Sequence, residues 1–390
     1  MNKYKKQIEN FIEEHKSEMI EKLKTFVDYE GSFDEKENVE RCTAWLRKEF
    51  EEEGFECRIE GATDARAGVL IGLLGKERKG SPVIFVGHTD TVFHAGEFSD
   101  KKFYTNDGKM YGPGVLDMKG GIIISLYVAK ALNSIGFNER PIKIIFAGDE
   151  EGDHVGTDAD KILAENAKGA VCAFNMETGQ MDNCLCVCRK SLFEVYGDIK
   201  GIGGHSGNFF EKGANAVHEA VLKAKEMISL TDLSKGSTVT TSIFHGGDIV
   251  AKIPDKCEIA FDVRFEFESE KERLLDSTKR IMENTFVKGT STNYWIESPK
   301  FHSYEDTEDV YKLFNFINRI ARENGLPEFK SKKMGAASDS GNIQSVGVPI
   351  IDCCGVVGEF NHSKQEYAII QSMYDRTKIW SLVVCSLSEF

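Results

Sequence analysis

The chain opens with apolar residues at helical spacing, Ile8, Phe11 and Ile12, then Met19, Ile20, Leu23 and Phe26, with charges between them. That stripe predicts an amphipathic helix. A second helix is predicted from Glu35 to Gly54, after which Phe55 to Leu74 turns to a strand pattern and Lys76 to Gly80 forms a polar turn. The apolar run Val83 to Val86 reads as a short buried strand. Helix from about Gly121 to Ser134, strand from Ile142 to Ala147, helix from Asp158 to Ala167 and strand from Ala170 to Asn175 follow in turn. Such alternation predicts a mostly parallel sheet covered by helices, an α/β domain.

From about Leu192 to Lys300 the texture changes. Phe193 to Ile199 alternates, Ala214 to Ser229 is helical, and Ser237 to Phe244 and Cys257 to Phe265 read as strands. Ser269 to Phe286 is a second helix, with Ser269 as its expected cap, and Thr292 to Glu297 a last strand. The order strand, helix, strand, strand, helix, strand is close to a split βαβ unit.

With 390 residues the chain is long enough for two or three domains, and its formal charge of -14 argues against nucleic acid or anionic lipid as partners. The basic N-terminus is followed by no apolar segment, and no run of about 18 apolar residues occurs, so neither a secretion signal nor a membrane span is expected. The expected location is the cytoplasm. Ten cysteines are too sparse for a disulfide scaffold. Cys184, Cys186 and Cys188 alternate at strand period; without paired Cys-x-x-Cys spacing they read as one buried strand face rather than a thiolate metal site.

Open α/β sheets bind ligands at the carboxyl ends of their strands. Three predicted strands end in GHTD, GDEEG and NMETG, a coincidence that a general preference of acids for loops explains poorly. His88 and Asp90, two apart in an extended chain, leave on the same face, as a metal ligand and the acid that orients it would. Asp117, in the glycine-rich loop Met110 to Gly121, is either a helix cap or a carboxylate able to bridge two cations. In the triple Asp149, Glu150, Glu151, side chains diverge, so that one carboxylate can bind metal while a neighbour serves as general base. His362 follows another glycine-bearing loop. The candidate ligands are therefore His88, Asp117, Glu151, Glu177 and His362, a nitrogen and oxygen set suited to zinc, cobalt or manganese.

Taken together, GHTDTV, YGPGVLDMKGG, DEEG, METG, GIGGHSG with GANAV, and GVVGEFNH resemble the M20 metallopeptidases. This superfamily takes in glutamate carboxypeptidase, acetylornithine deacetylase and succinyl-diaminopimelate desuccinylase, and the likeness is greatest to glutamate carboxypeptidase-type members. The resemblance implies a zinc-peptidase-like catalytic domain over 1–190 and 301–390, interrupted at 191–300 by a ferredoxin-like α+β lid that is often the contact of a homodimer. It implies two divalent ions per chain, zinc foremost, with His88 and Glu177 on one ion, Glu151 and His362 on the other, and Asp117 bridging. Asp90 would orient His88 and Glu150 would be the general base. His205, which alone reads as a turn residue, would reach across the dimer to the substrate carbonyl oxygen. Arg264, otherwise an ordinary strand-end arginine, would pair with a substrate carboxylate.

The implied activity is cleavage of an amide bond next to a free carboxylate in a small peptide; the alternatives are an N-acyl amino acid deacylase or a catalytically silent binding protein on the same scaffold. Ala251 stands where related carboxypeptidases often carry asparagine, and Phe209 and Phe210 replace smaller residues, which points to a bulkier, more apolar substrate pocket. Ser338 and Asp339 keep the family's Ser-Asp pair.

Overall fold

The computed structural model describes residues 3–99 and 101–390. They divide into two compact units: one runs to Cys188 and resumes over Asp306–Met334 and Ser338–Phe390, and the other comprises Arg189–Glu305 with Gly335–Ala337.

The first unit is built on a six-stranded sheet in the order Glu56–Glu60, Val69–Leu74, Ile142–Ala147, Val83–His88, Cys172–Asn175, Ile350–Ile351. The last four run parallel, and the first two are added antiparallel. The stretch of strand pattern over Phe55 to Leu74 holds two strands, joined by an irregular connection. Every residue of Val83–His88 is buried, as a central strand covered on both faces requires. Its register aligns the three strand ends, with His88 opposite Ala147 and Val86 opposite Asn175.

Helix Gly120–Ser134 is buried almost all round and packs against Ile370–Val384 and the amphipathic Lys5–Asp28, whose inner face carries Ile8, Ile12, Met19, Leu23, Phe26 and Val27. Trp380 fills the same core, its indole N–H donating to the Cys354 carbonyl at 2.8 Å. Strand Cys184–Arg189 is buried along its whole length, so its thiols are core on one face and the other face is covered as well. No helix among the described residues is long and apolar enough to cross a membrane.

The second unit is an antiparallel sheet in the order Thr238–Gly246, Lys256–Phe265, Ser191–Lys200, Ser291–Glu297, with helices Ala216–Ile228 and Glu268–Glu283. This is the ferredoxin-like order expected of a split βαβ unit. Phe193, Val195, Phe261, Val263, Leu274 and Met282 belong to its core. The second helix begins one residue before Ser269, with Phe267 in the cap position, so Ser269 lies in the first turn and caps nothing. Buried Lys223 donates to the carbonyls of Ile281, Met282 and Asn284 at that helix's end, and Glu219 balances its charge at 3.2 Å.

Gly121 fixes how closely the helix approaches the strand end that leads to Glu177. A Cβ there would sit 1.9 Å from the Met176 carbonyl oxygen, a backbone atom that cannot swing aside. Gly121→Ala is expected to lower stability by about 1–3 kcal/mol, as overpacking does, and chemical denaturation of the intact chain measures it; an unchanged midpoint would contradict the close approach.

Candidate metal centre

Two of the parallel strands end level, His88 opposite Ala147, and the third ends opposite Val86, so their following residues gather at one edge. His88 is the last residue of its strand, Glu150 and Glu151 follow the neighbouring strand by a short turn, and Glu177 comes two residues after Asn175. Asp117 enters from the turn Val115–Lys119 just before helix Gly120–Ser134; it is not the cap, a position taken by Lys119. His362 arrives on the loop after Gly358–Glu359.

The side chains meet in two groups that share Asp117. His88, Asp117 and Glu177 each offer a donor atom, as do Asp117, Glu151 and His362, the atoms within each group lying within 4.8 Å of one another. His88 Nε2 is 3.3 Å from Asp117 Oδ1 and 3.5 Å from Glu177 Oε1, whereas His362 Nε2 is 3.2 Å from Asp117 Oδ2 and 3.3 Å from Glu151 Oε1. Thus each oxygen of Asp117 faces a different histidine. All five candidate ligands inferred from the sequence come together here.

Supporting contacts set the orientation. His88 Nδ1 lies 3.1 Å from the Asp90 carbonyl oxygen and 3.3 Å from its Oδ1, and Asp90 Oδ2 accepts the backbone N–H of Glu151 at 2.9 Å. One buried acid therefore holds a residue of each group. Glu150 Oε2 stands 4.0 Å from His88 Nε2 and belongs to neither group. Three contributors were not singled out from the sequence: Asn361, whose amide donates to Asp117 Oδ2 at 3.1 Å; Glu366, which accepts the backbone N–H groups of Leu116 and Asp117 at 2.8 and 3.2 Å; and the buried His154, which lies between Asp149 and Asp339. For Glu366, an acid four residues after His362, the sequence holds no signal that separates it from a surface residue.

His205 and Arg264 lie in the second unit. His205 is exposed, and its Nδ1 accepts the backbone N–H groups of Gly207 and Asn208 at 3.2 and 3.3 Å. Its neighbour in the fold is Ala251, whose carbonyl accepts the N–H of Ser206. Arg264 already forms a fork on Asp262, with Nε and Nη2 each at 2.9 Å, and gives Nη1 to the Gly335 carbonyl, so a substrate carboxylate would have to displace Asp262. Phe209 packs beneath Gly204, while Phe210 is 71% exposed.

Electrostatics show what this crowding costs. Burial pushes Glu150 well above the ordinary carboxylate range, with Glu177, Glu151 and Asp339 adding to the rise against the opposing charge of His88. Burial likewise lifts Glu151 to about 7 and Glu366 to about 8. Hydrogen bonds to Asp117 and Glu151 raise His362 to about 11. For His88 burial works downward, but Asp117, Asp90 and Glu177 outweigh it and raise the imidazole. Like charges held this close call for cations. Imidazole nitrogens and carboxylate oxygens in two adjacent groups fit divalent ions of the zinc type, and the orienting acid behind His88 is what such a ligand needs.

The fold agrees with the comparisons. A model of peptidase family M20/M25/M40 matches residues 84–386. Carboxypeptidase G2 of Pseudomonas sp. (strain RS-16) is 25% identical over 378 residues, 95% of this chain and 89% of that protein. A succinyl-diaminopimelate desuccinylase of Xanthomonas campestris is 24% identical over 356 residues, 85% of this chain and 89% of the relative. Among solved structures, aminopeptidase PepT of Bacillus cereus superposes with a TM-score of 0.80 at 18% identity, covering 96% of this chain and 99% of its own. An M20 family metallo-carboxypeptidase of Sulfolobus solfataricus gives 0.74 at 14% identity, covering 96% and 100%. The chain belongs to the M20 peptidase family. It is a metal-dependent hydrolase of that family.

The raised groups link metal uptake to pH. In the metal-free chain the acids around His362 and His88 favour the protonated imidazoles, and burial favours the protonated form of Glu151, so an incoming cation must displace protons. Lower pH fills these sites further, so affinity is expected to weaken by about tenfold or more per unit between about pH 8 and 6. Competition against a chromogenic chelator measures this, and an affinity flat across that window would contradict the arrangement.

Proposed function

We propose that this chain is a two-cation amide hydrolase acting next to a free carboxylate on small peptides or N-acyl amino acids. The observation that carries the reading is the division of Asp117 between two donor groups, Oδ1 toward His88 and Oδ2 toward His362. In this reading His88 and Glu177 hold one ion and Glu151 and His362 the other, with Asp117 common to both; zinc is the first choice, and cobalt or manganese accepts the same donors. Bound there, such ions supply Lewis acidity toward the scissile carbonyl and ease the loss of a proton from water.

The protein's own groups do the rest. Asp90 engages His88 Nδ1 and leaves Nε2 for the donor group. Glu150, outside both groups, takes the proton of the attacking water and passes it to the leaving amine, a role suited to a carboxyl that burial and neighbouring acids keep easy to protonate. His205 contributes through its tautomer: with Nδ1 accepting two N–H groups, Nε2 bears the hydrogen, which is the form that can donate to a developing oxyanion. Arg264 remains the candidate for a substrate carboxylate, in exchange for Asp262.

A peptidase and a deacylase share this chemistry, and the relatives named carboxypeptidase and desuccinylase support both arms equally. A homodimer through the inserted unit is favoured by the exposed edge strand Thr238–Gly246, with Ile243 and Phe244, and by Val221, Leu222 and Ile228 exposed on helix Ala216–Ile228. Ten free cysteines fit a reducing cytoplasm.

Glu150→Gln is expected to lower kcat by about 10²–10⁴-fold while metal uptake stays at the wild-type level; near-normal turnover would remove Glu150 from proton transfer. Amine release from a mixed panel of short peptides and N-acyl amino acids, followed by mass spectrometry, tests the reaction itself. Cleavage that disappears on chelation is expected, and a metal-loaded chain that releases no amine from any compound would count for the silent binding protein.

A further inference from the structure

Asp149 begins the acidic turn but has partners of its own. Its Oδ1 accepts from His154 Nδ1 at 2.8 Å and its Oδ2 from the Thr157 hydroxyl at 2.7 Å. The second ring nitrogen of His154 donates to Asp339 Oδ1, also at 2.8 Å, from a residue 185 positions away. None of the three is more than 2% exposed. With a carboxyl oxygen at hydrogen-bond distance on each ring nitrogen, His154 is held between two buried acids. Asp153 and His154 adopt φ of 56° and 55°, a backbone form that costs free energy and persists where the surroundings require it. Here it folds the chain back so that the ring reaches the residue five positions earlier.

The contacts continue beyond Asp339. Ser338 and Ser340 both donate to Asp352 Oδ2, at 2.7 and 2.8 Å, and Asn175 donates to Ser340 Oγ at 3.0 Å. Asn175 ends the strand that delivers Glu177. A buried polar chain thus joins the turn of Glu150 and Glu151 to the strand end of Glu177. Within the turn, the Asp149 carbonyl accepts the N–H groups of Gly152 and His154, so whatever holds Asp149 also holds the peptide planes around Glu150 and Glu151.

We infer that His154 is a positioning residue: clamped between Asp149 and Asp339, it sets the turn that presents Glu150 and Glu151 to the centre. This rests on the metal reading of that centre. His154 belongs to neither donor group and acts through Asp149.

The test measures cation affinity in the intact chain, by competition of Zn²⁺ or Co²⁺ against a chelator, beside kcat and KM. His154→Ala is expected to weaken affinity by about 10–100-fold, the range seen when groups behind metal ligands are removed, and to lower kcat with KM within about twofold. Asp339→Asn, which keeps the ring and its bond to Asp149, is expected to fall between the wild type and His154→Ala. Should His154→Ala fail to fold, Asp339→Asn carries the test, with a loss of about tenfold expected. Folded variants with wild-type affinity and kcat overturn the inference even if their melting temperatures drop, because that is the mark of a structural role alone. A wild-type chain that binds no cation overturns the metal reading and this inference together, whereas a wild type and variants that bind alike overturn only the role of His154.

Discussion

The structure depends on keeping like charges together. Asp117, Glu150, Glu151 and Glu177 converge with Asp90 on a strand edge where His88 and His362 bring positive charge. Burial makes this expensive, and the cost appears as carboxyl groups lifted out of their usual range. The scaffold tolerates it because the acids are fixed from behind. Glu366 holds the backbone at Asp117, Asp90 spans His88 and the Glu151 peptide, and Asp149 is anchored by His154. In the proposed reading a cation completes an arrangement that has already been oriented, rather than organising flexible side chains.

The five candidate ligands were legible in the sequence because each follows a local signal: an apolar run that ends in an acid or a histidine, or a glycine-rich loop. Parallel pairing turns those local ends into one shared edge, and the register of His88 with Ala147 makes the edge level. The alternation of strands and helices likewise carried the α/β class and the order of the inserted unit. Strand and helix ends were less legible, since backbone hydrogen bonds set them: Phe55 to Leu74 divides into two strands, and Ser269 falls inside its helix.

Other features had no signal to read. His154 and Asp339 meet across 185 residues, and nothing in GDHVG marks its histidine as buried. Alternation predicted one covered face for Cys184, Cys186 and Cys188, but both faces of that strand are covered, which periodicity cannot reveal. Arg264 looked free to take a carboxylate because the sequence does not show that Asp262, two residues earlier on the same strand, already fills its fork. His205 entered through resemblance, and its tautomer is the contribution of the structure.

The central claim is that Asp117 serves two cations at once. Equilibrium dialysis against Zn²⁺, with elemental analysis of the wild type and of Asp117→Ala, tests it most directly. Two ions per wild-type chain, with both weakened or lost together in the variant, is the result expected. A wild type that saturates at one ion, or a variant that keeps two at unchanged affinity, would contradict it.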